Sequence, residues 1–187
     1  MNTDDRRLIA ECLQGRRAAF GELVRRYQDR LYNAVYRVVD NPDDAYDVVQ
    51  DAFLNAYQSL NSFKGDSEFF TWLYRIAFNT AISLKRKQRL TLSLDSGREN
   101  DAVSEPADSS EFSQPGTGIE RLEEEGRLHA ALNRLSPEHR MVLVLKDLEG
   151  QKYEEIAEVL NVPIGTIRSR LHRARMELRD LLQPPAD

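Results

Sequence analysis

The sequence has a single cysteine, Cys12, among its 187 residues. One thiol can neither close a disulfide within the chain nor build a zinc site of several cysteines. No run of about 18 apolar residues occurs, so no segment is long enough for a transmembrane helix. The first residues, MNTDDRRLIAECL, place acids where a signal peptide has a basic flank followed by an apolar block. We therefore expect a cytoplasmic protein that does not insert into a membrane.

Motifs for catalysis are lacking as well. The three histidines, His129, His139 and His172, have neither the spacing of metal ligands nor an acidic neighbour in the sequence that would orient a catalytic base. No activated nucleophile and no phosphate-binding loop is recognisable. The sequence gives no support to an enzyme, and it predicts neither a metal nor another cofactor.

Acidic residues outnumber basic ones by 31 to 26, and the excess lies in one segment. Residues 90–126 hold 10 acidic and 2 basic residues, a net charge of −8, whereas the segments on either side are close to neutral. The first part of this segment is rich in Ser, Asp, Glu, Pro and Gly and has no apolar period, which is typical of a linker. It is either a solvated spacer or an acidic strand with a function of its own.

The segments that flank the linker predict α-helices almost throughout. Apolar residues recur three and four positions apart with few Gly or Pro between them, and no convincing β-strand pattern is present. We therefore predict an all-α protein made of two small helical domains.

One predicted helix, DDAYDVVQDAFLNAYQSL, is acidic and contains no basic residue. Asn41 is placed to cap this helix, and Pro42 suits its first turn. Asp44, Asp47 and Asp51 recur at helical spacing, and capping explains only the acids of the first turn. This stripe fits a basic protein partner, and the alternative is an ordinary solvated face.

The next predicted helix reverses the sign of the charge. The stretch NSFKGDSEFFTWLYRIAFNTAISLKRKQR has no acid after Glu68. Arg75, Asn79, Arg86 and Arg89 share one stripe of this helix, apart from its apolar arc. Basic residues alternate with five aromatic residues, Phe63, Phe69, Phe70, Trp72 and Tyr74. This mixture is found where proteins stack unpaired bases and follow a phosphate chain, and the alternative is that most of these rings belong to the core.

The C-terminal segment predicts two helices joined by a short turn near residues 161–163. In the second helix, Ile167, Leu171, Ala174 and Leu178 form a packing stripe. The opposite arc holds Thr166, Ser169, His172 and Arg173, with Arg168 and Arg170 on its margins. A turn of this kind before an acid-free helix face favours a helix-turn-helix whose second helix enters the major groove of DNA. The alternative is a helical hairpin with solvated arginines.

The helical wheel divides the arginines by role. Arg173 lies mid-arc, where a bidentate contact to guanine selects a base pair, so we predict that it reads sequence. Arg170 lies toward a margin, where the helix passes a sugar-phosphate wall, so we predict that it positions the helix. Arg175 lies nearest the packing stripe and is expected to pair with an acid such as Glu154 or Glu155.

Three stretches together resemble the extracytoplasmic-function sigma factors: DDAYDVVQDAFLNAY, SFKGDSEFFTWLYRIAFNTA and LSPEHRMVLVLKDLEGQKYEEIAEVLNVPIGTIRSRLHRAR. They occur in the order and spacing of that family, and the likeness spans residues 8–183 except for the linker. It implies a bacterial RNA polymerase initiation subunit without catalytic chemistry. Its partners would be core polymerase, through the β′ clamp helices and the β flap, promoter DNA, and a cognate anti-sigma protein.

The same resemblance implies a domain division and three sets of contact residues. Residues 1–92 would form the docking and minus-ten domain, 93–121 the linker, and 122–187 the minus-thirty-five domain. The implied polymerase contacts are Asp44, Asp47, Val48, Gln50, Asp51 and Phe53. The implied minus-ten contacts are Phe63, Lys64, Gly65, Asp66, Ser67, Phe69, Phe70, Thr71, Arg75, Asn79 and Arg86. The implied minus-thirty-five contacts are Thr166, Arg168, Ser169, Arg170, His172 and Arg173.

Some residues depart from the family pattern. Lys152 stands where the family usually has Ser or Thr to cap the first helix of the helix-turn-helix, a loss of about 1 kcal/mol. Gln151 replaces a common apolar residue. Ser83, Lys85 and Lys87 differ from the usual residues after the minus-ten loop, so the resemblance does not define a base preference there. The competing hypothesis is a helix-turn-helix repressor or activator that binds duplex DNA without polymerase. A helical adaptor without nucleic acid would leave both basic faces unexplained.

Overall fold

A computed structural model describes the backbone of residues 3–94 and 118–183 and the side chains of residues 3–88 and 123–183. The described residues are helical and contain no β-strand, which confirms the predicted all-α class. The N-terminal helices are α1 (Thr3–Leu13), α2 (Arg17–Val39), α3 (Pro42–Gln58) and α4 (Phe69–Leu94). The C-terminal helices are α5 (Gly118–Arg134), α6 (Pro137–Leu143), α7 (Tyr153–Leu160) and α8 (Ile164–Leu182). Most of the predicted acidic linker, and the side chain of Arg89, lie outside the described residues.

Helices α3 and α6 begin at residues whose side chains cap them. The side-chain oxygen of Asn41 accepts a hydrogen bond from the backbone N–H of Asp44 at 2.9 Å, which caps α3 as predicted. Ser136 Oγ likewise accepts from the N–H of His139 at 3.3 Å at the start of α6. Asn161 ends α7 in the left-handed conformation, with φ of 52°, and so turns the chain into α8.

The N-terminal domain packs α2, α3 and α4 around one apolar core, and α1 lies against α2. An apolar stripe of α2 at helical spacing faces this core: Leu23, Leu31, Val35 and Val38 are buried, and Val24 and Tyr27 are partly buried. A buried polar group also fixes α1. The Asp5 carboxylate accepts from Arg26 Nη1 and from the Tyr27 hydroxyl, both at 2.5 Å. Burial and this carboxylate raise the pKa of Tyr27 to about 12.

In the C-terminal domain, the second half of α6 is buried on all sides. It continues into a π-helical turn, Val144–Leu148, and Met141 through Leu145 are all buried. A helix packed on one face exposes part of any five consecutive residues, so this segment has neighbours on both sides. One neighbour is α8, through its predicted packing stripe, of which Ile167, Leu171 and Ala174 are buried and Leu178 is partly buried. The other is the N-terminal domain.

At one end of the interface between the domains, Arg30 of α2 meets Glu149, which follows the π-helical turn. Arg30 Nε donates to Glu149 Oε2 at 2.9 Å, and the guanidinium lies 4.4 Å from the ring centre of Phe70. The hydroxyl of Thr71, at the start of α4, donates to Gln151 Oε1 at 3.2 Å. Thr71 and Gln151 are both buried, so this hydrogen bond satisfies polar groups that water does not reach.

At the other end, α5 and α6 cover the end of α2. The buried Arg140 donates from Nη1 to the carbonyl oxygen of Val38 at 3.0 Å, and burial lowers the pKa of its guanidinium. His129 Nε2 lies 2.8 Å from the Asp40 carboxylate, which Asn133 also contacts. His129 therefore has an acidic partner from the other domain, which its sequence neighbours do not reveal.

Candidate protein and nucleic-acid interfaces

An apolar groove of about 710 Å³ runs between α2 and α3. Its wall on α3 contains three large residues that face solvent: Tyr46 is 65% exposed, Leu54 55% and Tyr57 40%. Phe20 and Val24 of α2 form part of the opposite wall. Exposed large apolar side chains that cluster along one groove mark a binding surface for another macromolecule.

Acidic side chains accompany this groove. Asp47 and Asp51 lie one turn apart on α3, both are exposed, and neither forms an ion pair with any side chain that the structure describes. Gln50 lines the groove beside them. A partner with an apolar ridge and basic flanks fits this surface.

Three of the implied polymerase contacts are engaged within the protein. Val48 and Phe53 are 2% and 7% exposed, so they pack α3 against the core. The exposed surface of α3 is formed by other residues. The Asp44 carboxylate accepts from Gln88 Nε2 at 2.9 Å, which joins α3 to α4. The sequence analysis missed Tyr46, Leu54 and Tyr57, although their spacing gives α3 a second apolar face in addition to the buried one.

The loop before α4 presents a small polar tip on an aromatic base. Lys64 and Asp66 are exposed, and Gly65 between them has φ of 78°, a left-handed conformation that glycine adopts without strain. The base of the loop is formed by Phe63, whose ring centre lies 5.1 Å from that of Trp72. Ser67, on the far side of the tip, is partly buried.

The aromatic residues at the start of α4 belong to the core. Phe69 is fully buried and Phe70 is 5% exposed, stacked 4.8 Å from Tyr27. Thr71 is buried against the C-terminal domain. Tyr74 is fully buried as well, and burial together with the neighbouring Glu149 carboxylate raises its pKa. The alternative, that most of the predicted rings belong to the core, therefore holds for Phe69, Phe70 and Tyr74 in this structure.

The predicted basic stripe of α4 is accessible. Arg75, Asn79 and Arg86 are all exposed, and they follow the same side of the helix beyond the loop tip. A row of donors on one helix face suits the phosphates and base edges of a nucleic acid strand.

The outer face of α8 is polar and basic. Arg168, Ser169, His172 and Arg173 are exposed and contiguous on the helix, and Thr166 is partly exposed near its start. Helices α7 and α8 pack against each other, so the predicted helix-turn-helix geometry is present. Arg170 points elsewhere: its Nη2 lies 3.1 Å from Glu138 Oε2, toward α6.

Tyr153, at the start of α7, is a further residue near the outer face that sequence reasoning missed. Its ring lies 5.8 Å from the Arg168 guanidinium and 4.9 Å from the Lys146 ammonium group. These separations are in the range of cation–π attraction, so Tyr153 helps to orient Arg168. A tyrosine eight residues ahead of the turn at Asn161 carries no signal of this kind in the sequence.

Within residues 3–94 and 118–183, no helix is long and apolar enough to cross a membrane.

Comparison with known families identifies both halves of the chain. A model described as "Sigma-70 region 2" matches residues 23–91, and one described as "Sigma-70, region 4" matches residues 125–178. The chain is 37% identical to the RNA polymerase sigma-H factor of Pseudomonas aeruginosa, over 96% of this chain and 94% of that protein. It is 38% identical to the ECF RNA polymerase sigma-E factor of Escherichia coli K12, over 96% of this chain and 95% of that one.

Two solved structures share the fold over most of their length. CnrH, solved in complex with the cytosolic domain of CnrY, has a TM-score of 0.70 and 30% identity, with coverage of 98% of this chain and 99% of that chain. The sigma factor RpoE of Bartonella quintana, solved in complex with the anti-sigma factor NepR, also has a TM-score of 0.70, with 27% identity and coverage of 89% and 98%.

Proposed function

The chain belongs to the extracytoplasmic-function group of the sigma-70 factors, and we propose that its two domains divide the work of an alternative sigma factor between them. Residues 1–92 bind core polymerase and capture the unpaired minus-ten strand. Residues 122–187 read the minus-thirty-five element as a duplex, and residues 93–121 join the two. The protein directs initiation in the cytoplasm and leaves bond formation to the polymerase, so none of its residues is assigned a catalytic role.

The groove between α2 and α3 is the proposed polymerase site. Tyr46 and Leu54 supply exposed apolar surface, and Asp47 and Asp51 supply the charge that steers a basic helical partner. Gln50 lies between them in the groove wall. Val48, Phe53 and Asp44 support this surface from within, through core packing and the bond to Gln88.

The loop tip and the basic stripe of α4 are the proposed minus-ten site. Lys64 and Asp66 project from the tip, and Arg75 and Asn79 lie beyond it on α4. Positive side chains follow the backbone of a single strand, while polar groups at a tip contact the edge of a displaced base. Phe69 and Phe70 support the loop from within the core of the N-terminal domain, and Thr71 is held by its hydrogen bond to Gln151.

The observation that supports promoter reading is an exposed row of polar and basic side chains on α8: Arg168, Ser169, His172 and Arg173. It lies on the second helix of a helix-turn-helix, the element that enters the major groove in this motif. The β flap of polymerase is the proposed second partner of this domain. An anti-sigma factor is proposed as the negative regulator, because the RpoE of Bartonella quintana was solved with one.

The test is copurification of the chain with core polymerase, followed by run-off transcription from a promoter library. We expect a stable complex and transcripts from a small class of templates that share two elements. A repressor or activator would instead bind duplex operators tightly without core and would yield no transcript. The latter result would overturn the proposed function.

A further inference from the structure

A second cleft, of about 1100 Å³, lies where the ends of α2 and α5 meet α4, α6 and α8. It shares no lining residue with the apolar groove between α2 and α3. One wall is a single face of α4, formed by Ala81, Ile82, Lys85 and Arg86 at helical spacing. Sites for small organic ligands have volumes of this order, so the cleft has room for one.

The cleft carries a net positive charge. Four cationic side chains from three helices line it: Lys85, Arg86, Arg140 and Arg170. Only two acids line it, and both have partners: Glu138 lies 3.1 Å from Arg170, and Asp40 is bonded to His129. Lys85 and Arg86 form no ion pair with any side chain that the structure describes. The lining therefore attracts an anion.

Arg140 is the buried cation of this cleft, with 8% of its surface exposed. Its guanidinium donates to the carbonyl oxygens of Val38 at 3.0 Å and Asn133 at 2.6 Å, which are both neutral. The buried Nε of Arg140 has no hydrogen-bond partner among the described residues. Asp40 attracts this guanidinium but is itself hydrogen-bonded by His129 and Asn133. A buried cation with these partners favours a bound anion, because burial of a charge is costly without one.

The remaining lining is apolar and contains one unused acceptor. Ile82, which is 40% exposed, Leu160 and Val162 supply apolar surface. The buried Oδ1 of Asn133 accepts no hydrogen bond from any described residue. A ligand that fits this lining has phosphate groups for the cations, a flat apolar body for the wall and an N–H or O–H donor. A nucleotide has all three.

We propose that this cleft is a binding site for a nucleoside polyphosphate. Promoter phosphates do not account for it, because a DNA backbone on the protein surface does not reach the buried Arg140. Binding of the nucleotide also occupies Arg86 and Arg170, two of the implied promoter contacts. The nucleotide therefore competes with assembly of the promoter complex. This consequence rests on the proposed function, whereas nucleotide binding itself does not.

Isothermal titration calorimetry of the full chain tests the binding step. The probes are ADP and GDP, without divalent cations that would screen their phosphates. Inorganic pyrophosphate and adenosine are the comparison ligands, because each supplies only one part of the nucleotide. We expect one nucleotide per chain, bound at least tenfold more tightly than either comparison ligand.

Two substitutions in the lining have matched controls outside it. Lys85→Ala removes a cation from the cleft, and Lys87→Ala removes an exposed one from the same helix. Ile82→Glu places an acid on the apolar wall, and Leu13→Glu makes the same kind of change at a residue of α1 that is 48% exposed. Circular dichroism first confirms that each variant retains the parental helix content. The two cleft variants should raise the nucleotide Kd roughly tenfold, and the two controls should keep the parental value.

The competition is measured as the sigma concentration that gives half-maximal promoter binding in a gel shift with saturating core. ADP at ten times its Kd should raise this concentration about tenfold for the parent and for Lys87→Ala. The rise should be much smaller for Lys85→Ala. An effect of ADP on the polymerase itself would instead be equal in all three proteins.

Absence of binding by both nucleotides would overturn the site, and so would parental affinity in both Lys85→Ala and Ile82→Glu. Pyrophosphate bound as tightly as ADP would overturn the nucleotide assignment, because the apolar wall would then contribute nothing. An equal effect of ADP on promoter binding by the parent and Lys85→Ala would overturn the competition. If the proposed function fails, the parental chain forms no promoter complex with core, and the calorimetric result still stands.

Discussion

Arg175 and Asp147 form a bidentate ion pair that ties the recognition helix α8 to the π-helical turn after α6. Arg175 Nε lies 3.0 Å from Asp147 Oδ2, and Nη2 lies 2.5 Å from Oδ1. The expected acidic partner of Arg175 is thus confirmed, but the expectation of Glu154 or Glu155 is wrong. The π-helical turn brings Asp147 to this position, and that turn has no recognisable sequence pattern.

Replacement of Arg175 should affect stability more than DNA binding. Because both side chains are partly exposed, we expect Arg175→Ala to lower the free energy of unfolding by about 0.5–1 kcal/mol. Urea unfolding of the full chain measures this loss, and Asp147→Ala should give a similar value. A large loss of holoenzyme affinity for the minus-thirty-five duplex, with unchanged stability, would instead place Arg175 on the DNA.

Arg173 and Arg170 should respond differently to changes in the minus-thirty-five sequence. Arg173→Ala should remove about 1–3 kcal/mol of discrimination at one or two base pairs, because an exposed arginine mid-face makes bidentate contacts to guanine. Arg170→Ala should weaken all duplexes alike and reduce the salt slope by about one, once the Glu138 pair has opened. Competition binding of holoenzyme to singly substituted duplexes at several salt concentrations measures both effects. Identical base-preference profiles for the two variants would refute this division of roles.

The acidic side of the α2–α3 groove should be needed for polymerase binding. Asp47→Lys/Asp51→Lys should weaken binding to core by about tenfold or more, since charge reversal opposes a basic partner. The melting temperature should change little, because both residues are exposed and have no ion-pair partner in the described part of the chain. Glu154→Lys/Glu158→Lys reverses two exposed acids with the same spacing on α7 and serves as the control. Equal core affinity for the Asp47/Asp51 variant and the parent would mean that the stripe is only solvated.

The minus-ten loop should be tested at its tip and not at its aromatic base. Phe69 is fully buried against the rings of Phe63, Trp72 and Tyr27. Phe69→Ala should therefore lower the free energy of unfolding by about 3–5 kcal/mol. A loss of DNA binding in that variant could then result from unfolding. Lys64→Ala should keep the parental stability, because Lys64 is exposed. It should also reduce permanganate reactivity of the minus-ten thymines in the open complex. Unchanged reactivity in this folded variant would argue against strand capture by the tip.

Helix α7 lacks a side-chain cap at its first residue, so a capping residue there should stabilise the protein. The Glu155 carboxylate accepts from the Lys152 backbone N–H at 2.8 Å, so one half of a capping box is present. The other half would be a bond from the Glu155 N–H to the side chain of Lys152, and a lysine ammonium group cannot accept a hydrogen bond. Lys152→Thr should therefore raise the free energy of unfolding by about 0.5–1 kcal/mol, and Lys152→Ala should not. Thermal unfolding of the two variants makes the comparison, and equal melting temperatures would show that the hydroxyl does not cap α7.

Local signals in the sequence predicted most of the helical structure. Asn41 caps α3 because a short polar side chain directly before a helical pattern accepts a hydrogen bond from a free N–H of the first turn. The stripe from Ile167 to Ala174 is buried because helical spacing fixes which side chains share a face. Both features depend only on residues within one or two turns of each other, so sequence alone was sufficient.

The packing of the domains could not be predicted in the same way. An apolar stripe shows that a face is buried but not which element covers it, and α4 is buried on a second side by the other domain. Thr71 and Gln151 are 80 positions apart. No pattern in the residues next to either one indicates a buried hydrogen bond. The partner of Arg170 was missed for the same reason, because Glu138 lies on a different helix.

The contact between the two domains has one property that follows from its lying within a single chain. Helix α4 ends at Leu94 and α5 begins at Gly118, so 23 residues tether the two domains. A tether of this order gives each domain an effective concentration near the other on the order of 1 mM. An interface with an intrinsic dissociation constant of only about 10 µM would then keep about 99% of chains closed. Dilution does not change that fraction, whereas the occupancy of a contact between separate proteins varies with their abundance. The packing of Arg30 against Glu149 is therefore independent of the level of expression.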